Sequence, residues 1–302
     1  MLEAPMKILI LIAFICPFSL AFGADFYSNS LNDYNILSKA TWKPIKVKRN
    51  YIQYELAKNI SEGPRKLEFN YTFYRARKKR QGELLILFPT ISGVTVLEKT
   101  LAKYFSNRGV DVVIPVSMVR DFKFNSDTVK AMDEGFWRSI IQTSSVLKDL
   151  RRVRDYKKTY VMGGSQGGTR AAMILGRGLN IDKAYTFVAG GDFAKIFAQS
   201  KVQKVKDLRT NHMNALGLRS AELYENYLRE NIKFHPEENC SRRKSKLKML
   251  IATRDSSVPT ATQVSLWKGC GYPERQSIET GHVLGVLSMW WYRKKALEYF
   301  RL

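Results

Sequence analysis

The segment Tyr160-Val-Met-Gly-Gly-Ser-Gln-Gly-Gly168 carries the spacing G-x-S-x-G in Gly163-Gly164-Ser165-Gln166-Gly167, between a run that reads as a buried strand and one that reads as a helix. In that context a serine is held on a sharp bend, and the helix start behind it offers backbone N–H groups to negative charge. A serine hydroxyl is a weak nucleophile at its own pKa, so a base must take its proton and a carboxylate must orient that base. The chain has three histidines, His212, His235 and His282. His282, in Gly281-His282, comes just past a strand-like stretch, and Asp255, in Thr253-Arg-Asp-Ser-Ser-Val-Pro259, comes just past the apolar run before that. Ser165, Asp255 and His282 therefore read as nucleophile, acid and base of an acyl-transfer site. Asp192, in Ala189-Gly-Gly-Asp192, is the reserve acid, while His212 and His235 lie in a polar stretch and read as solvated or locally hydrogen-bonded surface histidines.

Such residues must be delivered by a scaffold, and hydrophobic periodicity supplies one. Leu67, Phe69, Tyr71 and Phe73 alternate with polar residues as in a half-exposed strand, whereas Leu84-Leu-Ile-Leu-Phe88 is the continuous apolar run of a strand buried on both faces. Further strands are expected at residues 110–115, 159–162, 183–188, 248–252 and 276–279. Helices are expected at about 94–107, 133–154, 166–178 and 261–268, and from about Leu284 to the end. Repeated strand-helix units of this length imply a mostly parallel sheet covered on both faces, an α/β fold.

The motif, the three residues and their chain order resemble the α/β-hydrolase superfamily over roughly residues 67–302. The resemblance implies an eight-stranded, mostly parallel sheet with the serine after the fifth strand, the acid after the seventh and the histidine after the eighth. It also implies a helical cap inserted at about residues 192–246, with Leu223, Tyr224, Tyr227 and Leu228 as its inward face. The two oxyanion donors would be the backbone N–H of Gln166 and that of Ile91 or Thr90. Where the family often shows His-Gly, this chain has Pro89-Thr90-Ile91, and Pro89 has no N–H to give.

Composition narrows the setting. At 302 residues, 45% hydrophobic and 25% charged, the chain is neither disordered nor a coiled coil. Lys7 precedes the apolar stretch Ile8 to Leu20, and Ala21-Phe22-Gly23 puts small residues before Ala24, which predicts a cleaved secretory signal peptide over residues 1–23 and a mature domain over 24–302. The mature chain is then secreted or periplasmic, and its two remaining cysteines, Cys240 and Cys270, are expected to pair in an oxidising compartment. Three cysteines exclude a multi-cysteine zinc module and three histidines leave few metal ligands to place, so no metal and no cofactor is expected. The net charge of +23 suggests electrostatic adsorption to an anionic membrane or polysaccharide; no nucleic-acid module accompanies it. The function expected from all this is an exported serine hydrolase acting on a small-molecule or polymer-linked carboxylic ester, as an esterase, deacetylase or lipase. A secreted serine peptidase on the same fold is the alternative reaction, and a catalytically silent envelope-binding protein the alternative class.

Overall fold

The strands read from the sequence assemble into one sheet that is wider than expected. The computed structural model describes residues 41–62, 65–77, 82–116 and 128–302, all within the unit Ile36–Leu302. The signal peptide expected over residues 1–23 lies outside the described residues. The strands are β1 (Thr41–Val47), β2 (Tyr51–Glu62), β3 (Arg65–Ala76), β4 (Glu83–Phe88), β5 (Val110–Pro115), β6 (Lys158–Gly164), β7 (Lys183–Phe187), β8 (Leu247–Ala252) and β9 (Glu274–Ile278). They lie in the order β1-β2-β3-β5-β4-β6-β7-β8-β9. From β5 to β9 every neighbour is parallel, while β1, β2 and β3 are joined to the sheet by antiparallel pairing.

The sheet therefore has nine strands where the resemblance implied eight, so Ser165 follows the sixth strand, Asp255 the eighth and His282 the ninth. Two strands, β1 and β2, were not read from the sequence. In β2 the buried positions include both Leu56 and Lys58, so a cation interrupts the apolar alternation. Its ammonium reaches Asp149 at 2.7 Å, and a buried charge is tolerated only when paired in this way. In β1, Pro44 sits beside a register shift, as a residue without an N–H does at a sheet edge.

Ten α-helices are described: α1 (Val96–Ser106), α2 (Thr128–Val153), α3 (Gln166–Gly176), α4 (Phe193–Gln199), α5 (Gln203–Ala215), α6 (Ala221–Asn231), α7 (Glu237–Cys240), α8 (Thr260–Gly269), α9 (His282–Trp291) and α10 (Arg293–Arg301). On one face of the sheet, Leu101 and Phe105 of α1, Met289 of α9 and Phe300 of α10 pack on Leu85, Leu87, Val112, Tyr160, Met162 and Phe187. On the other face, α3 lies against β4, β6 and β7, and α8 against β8. Residues of both parities on β4 and β5 are buried, which is why Leu84 to Phe88 reads as an unbroken apolar run and Val110 to Pro115 is apolar at every position but Asp111.

Residues 193–246 are largely helical and dock on α2. Phe136 stacks on Phe193 and Phe234 with ring centres 4.5 and 5.6 Å apart, and the Asp133 carboxylate accepts the N–H groups of Lys233 and Phe234. Within this segment Tyr224 and Leu228 are fully buried, but Leu223, expected to point inward, is half exposed. An inward stripe on α6 is met by positions 224, 227 and 228; position 223 lies one step around the helix. His212, expected at the surface, is fully buried: Nδ1 lies 3.1 Å from the Tyr224 hydroxyl, and the ring sits edge-on to Tyr224 and Tyr227. Burial pushes its pKa down. The segment ends at a disulfide between Cys240 of α7 and Cys270 just past α8, with Cα atoms 4.7 Å apart, as the two remaining cysteines were expected to pair.

Candidate active site

Ser165 stands where β6 turns into α3. Its backbone has φ 54° and ψ −127°, in the half of conformational space that side chains avoid, and such strain persists only where surrounding contacts fix it. Here the Ser165 N–H donates to the Phe187 carbonyl at 2.8 Å and its carbonyl accepts the Thr169 N–H at 3.0 Å. The flanking glycines make room for two close approaches. A Cβ on Gly163 would collide with the carbonyl group of Gly167 across the bend, and one on Gly167 would stand 2.6 Å from the Pro89 carbonyl oxygen. The second approach matters chemically, because it draws the end of β4 and the Pro89-Thr90-Ile91 segment against the start of α3.

That segment is held at its far end too. Thr95 caps α1: its hydroxyl accepts the Leu97 N–H, while the buried Glu98 carboxylate accepts the Thr95 N–H at 2.8 Å. Between these anchors the Gly93 N–H donates to the Thr90 carbonyl at 3.0 Å, closing a tight turn in which Ile91 is exposed. Gln166 is the first residue of α3, so its N–H has no acceptor within the helix. The structure thus brings the Phe88 and Pro89 carbonyls, which precede Thr90 and Ile91 in the chain, against Gly167, two residues after Ser165.

Asp255 and His282 arrive on two loops laced together. Past β8 and β9, the Thr253 N–H donates to the Ile278 carbonyl and the Arg254 N–H to the Thr280 carbonyl. One residue further on the first loop and two on the second, His282 Nδ1 lies 2.7 Å from Asp255 Oδ2. A carboxylate oxygen accepts, so the imidazole proton lies on Nδ1 and the Nε2 lone pair is left to take another. The Asp255 side chain is wholly buried, and hydrogen bonds replace its lost water. Oδ1 accepts the N–H groups of Ser257 and Val258 at 2.8 and 2.9 Å, and Oδ2 accepts Gln263 Nε2 at 3.0 Å beside the histidine.

Sequence reading missed Gln263. Its amide lies in α8 and ties the end of β8 to the loop that follows: besides Asp255, Nε2 donates to the Val258 carbonyl at 2.8 Å, and Oε1 accepts the Ala252 N–H at 3.0 Å. A glutamine in a helix carries no motif, so the available signal was only a polar residue at a position where α8 must be buried.

His282 opens α9, two residues before the helix start expected from the sequence, with Gly281 in extended conformation at the cap. The helix crosses the carboxyl ends of the sheet strands: Met289 Sδ lies 2.8 Å from where a Cβ on Gly164 would stand, and Val188 Cγ1 lies 2.5 Å from that of Gly285. Gly164, immediately before Ser165, is thus in contact with the helix that begins at His282. Val188 itself has φ 46°, a rare conformation for a β-branched residue, at the end of β7 beneath this crossing. Asp192, the reserve acid, is committed elsewhere. It caps α4 by accepting the Lys195 N–H and pairs with Arg229 at 2.9 Å.

Solved structures share this architecture. The chain is similar to acetyl xylan esterase 1 from Thermoanaerobacterium sp. JW/SL YS485, with 15% identity and a TM-score of 0.66 over 90% of this chain and 93% of that one. It is similar to the acetyl xylan esterase from Paenibacillus sp. R4, with 12% identity and a TM-score of 0.69 over 91% and 93%. It is also similar to Est1E from Butyrivibrio proteoclasticus, with 14% identity and a TM-score of 0.55 over 82% and 99%. At these identities the likeness is one of fold, and the fold is that of the α/β-hydrolases. No family profile and no curated protein sequence matches the chain.

Proposed function

We propose that this chain is an exported serine hydrolase that cleaves a carboxylic ester through an acyl-enzyme. Ser165 is the nucleophile, His282 the base and then the acid, and Asp255 holds the imidazole. The observation that carries this is the 2.7 Å bond between His282 Nδ1 and Asp255 Oδ2, at the head of a helix that rests on the residue before Ser165. With that proton fixed on Nδ1, Nε2 takes the Ser165 hydroxyl proton as Oγ attacks the ester carbonyl carbon. The carbonyl π pair moves to oxygen, and the oxyanion is met by the N–H of Gln166 and that of Ile91 or Thr90. Collapse breaks the bond to the alcohol oxygen, which leaves with the proton from His282. Water then attacks the acyl carbon with His282 again as base, releasing the acid and restoring Ser165.

Acyl transfer needs only these groups, and the solved neighbours named as esterases support an ester over an amide. The Cys240–Cys270 disulfide and the signal-like residues 1–23 support an oxidising compartment outside the cytoplasm. The test is a panel of p-nitrophenyl esters of increasing acyl length run beside aminoacyl and peptidyl anilides. Turnover of esters with little on anilides is expected, and the acyl length at which kcat/KM peaks assigns the acyl class. Faster turnover of the anilides, or none of any ester, would overturn the proposal.

A further inference from the structure

The outer face of α9 is apolar and open. Val283, Leu287 and Trp291, spaced by four residues, form one line along the helix and are 70%, 40% and 60% exposed, with Leu284 beside them at 52%. The opposite face, Gly285, Ser288 and Met289, is the one buried on the sheet. A line of this length runs about 12 Å along the helix. Isolated exposed leucines are ordinary, but a continuous stripe ending in tryptophan on a monomer's surface marks an interaction site.

Charge identifies the partner. From His282 to the end of α10 the cations are Arg293, Lys294, Lys295 and Arg301; the one carboxylate, Glu298, lies 3.9 Å from Lys294, so Arg293 and Lys295 remain in excess beside the stripe. At the Trp291 end of the helix aromatic rings and cations are interleaved. The Arg293 guanidinium lies 3.7 Å from the centre of the Trp290 ring and 5.0 Å from that of Tyr104, the Arg108 guanidinium lies 3.6 Å from the centre of the Tyr104 ring, and the Lys295 ammonium lies 5.1 Å from that of Tyr292. Aliphatic residues that insert, an aromatic that sits at headgroup level and cations that meet phosphate are the chemistry of a helix lying in an anionic lipid interface. A polysaccharide would leave the aliphatic stripe unused, and a net charge of +23 opposes a second copy of the same chain.

We propose that the exposed face of α9, Val283, Leu284, Leu287 and Trp291 with Arg293 to Lys295 at its end, docks this protein on an anionic lipid surface. The contact is independent of the hydrolase chemistry, although it would bring His282, at the head of the same helix, to the lipid boundary.

The test uses sedimentation with vesicles of equal parts phosphatidylglycerol and phosphatidylcholine, compared with phosphatidylcholine alone. Binding to the anionic vesicles is expected to exceed binding to the neutral ones at least about tenfold. The double substitution Leu284→Glu with Leu287→Glu, on exposed positions, should lower anionic-vesicle binding roughly tenfold or more while the circular dichroism spectrum is kept. Acyl chains carrying bromine should quench the tryptophan emission of the native protein, and Trp291→Phe should lose most of that quenching. Absence of vesicle binding would overturn the proposal. So would binding undiminished in the double variant, which would mean diffuse adsorption elsewhere on the basic surface. A dimer of the native protein that the double variant turns into a monomer would overturn it too, by assigning the stripe to a second copy.

Discussion

Gln263→Leu removes a side chain of similar volume that touches the acid from behind, so its effect separates positioning from chemistry. The substitution deletes three hydrogen bonds: Nε2 to Asp255 Oδ2 at 3.0 Å, Nε2 to the Val258 carbonyl at 2.8 Å, and the Ala252 N–H to Oε1 at 3.0 Å. Each partner is left behind in a site where Gln263 and Ala252 have no exposure and Asp255 almost none. A buried group stripped of its partner costs about 1–3 kcal/mol, with carboxylates at the upper end, so the loss should be about 3–6 kcal/mol. That is a large part of the stability of a typical domain, and at about 2–4 °C per kcal/mol it lowers Tm by roughly 10–20 °C. Asp255 keeps its two turn N–H groups and His282, so kcat for p-nitrophenyl acetate should fall about tenfold with KM little changed, the sign of an interaction that matters mainly in the transition state. The downfield proton resonance of the His282 Nδ1–H should shift or broaden in the variant, which a merely structural role for Gln263 would not cause. Native Tm and native kcat in Gln263→Leu would refute the assignment of this side chain as the support of the acid.

Asp255→Asn should lower kcat by roughly 10²- to 10⁴-fold without unfolding the protein, whereas Asp192→Asn should leave kcat within a few-fold of native, because Asp192 is bonded to Arg229 and Lys195; steady-state kinetics on the two variants decides between the acids. Replacing Cys240 and Cys270 by serine opens a loop of about 30 residues, and the loss of roughly 3–4 kcal/mol should appear as a Tm lower by about 10 °C in thermal unfolding. His212 has its pKa pushed down by burial, so the unfolded chain binds that proton more tightly than the folded one. The associated stability is present above the ordinary histidine pKa and is lost as pH falls through the lower folded value; His212→Gln should therefore flatten the acid side of a Tm-against-pH curve.

The parts of the fold that speak in apolar runs were legible. Leu84 to Phe88 is buried on both faces, and five consecutive apolar residues bounded by turns fit a strand covered on both sides; Val110 to Pro115 is likewise buried throughout, with Asp111 as its one charged residue. The bend at Ser165 was legible because Gly163 and Gly167 are demanded by backbone contacts that no side chain could survive. What stayed hidden had its pattern broken by polar groups satisfied at long range. Lys58 disguises β2 because its partner Asp149 lies ninety-one positions away, and His212 looks like a surface residue until Tyr224 is brought to it. Gln263 belongs to the same class: its three bonds exist only once α8, the Asp255 turn and the end of β8 are folded together. The boundary of α9 was misread for a local reason, since Gly281 and His282 form a helix start without a capping side chain.

The central claim, that Ser165 is the nucleophile of a charge-coupled site, is tested most directly by covalent labelling. A fluorophosphonate should add to the native protein at one site, with the intact mass rising by a single adduct and the peptide containing Gly163 to Gly168 carrying it. Because His282 must take the hydroxyl proton, His282→Ala should label far more slowly. Ser165→Ala should remain folded and take no label. An adduct on any other residue, or labelling that persists undiminished in Ser165→Ala, would contradict the assignment.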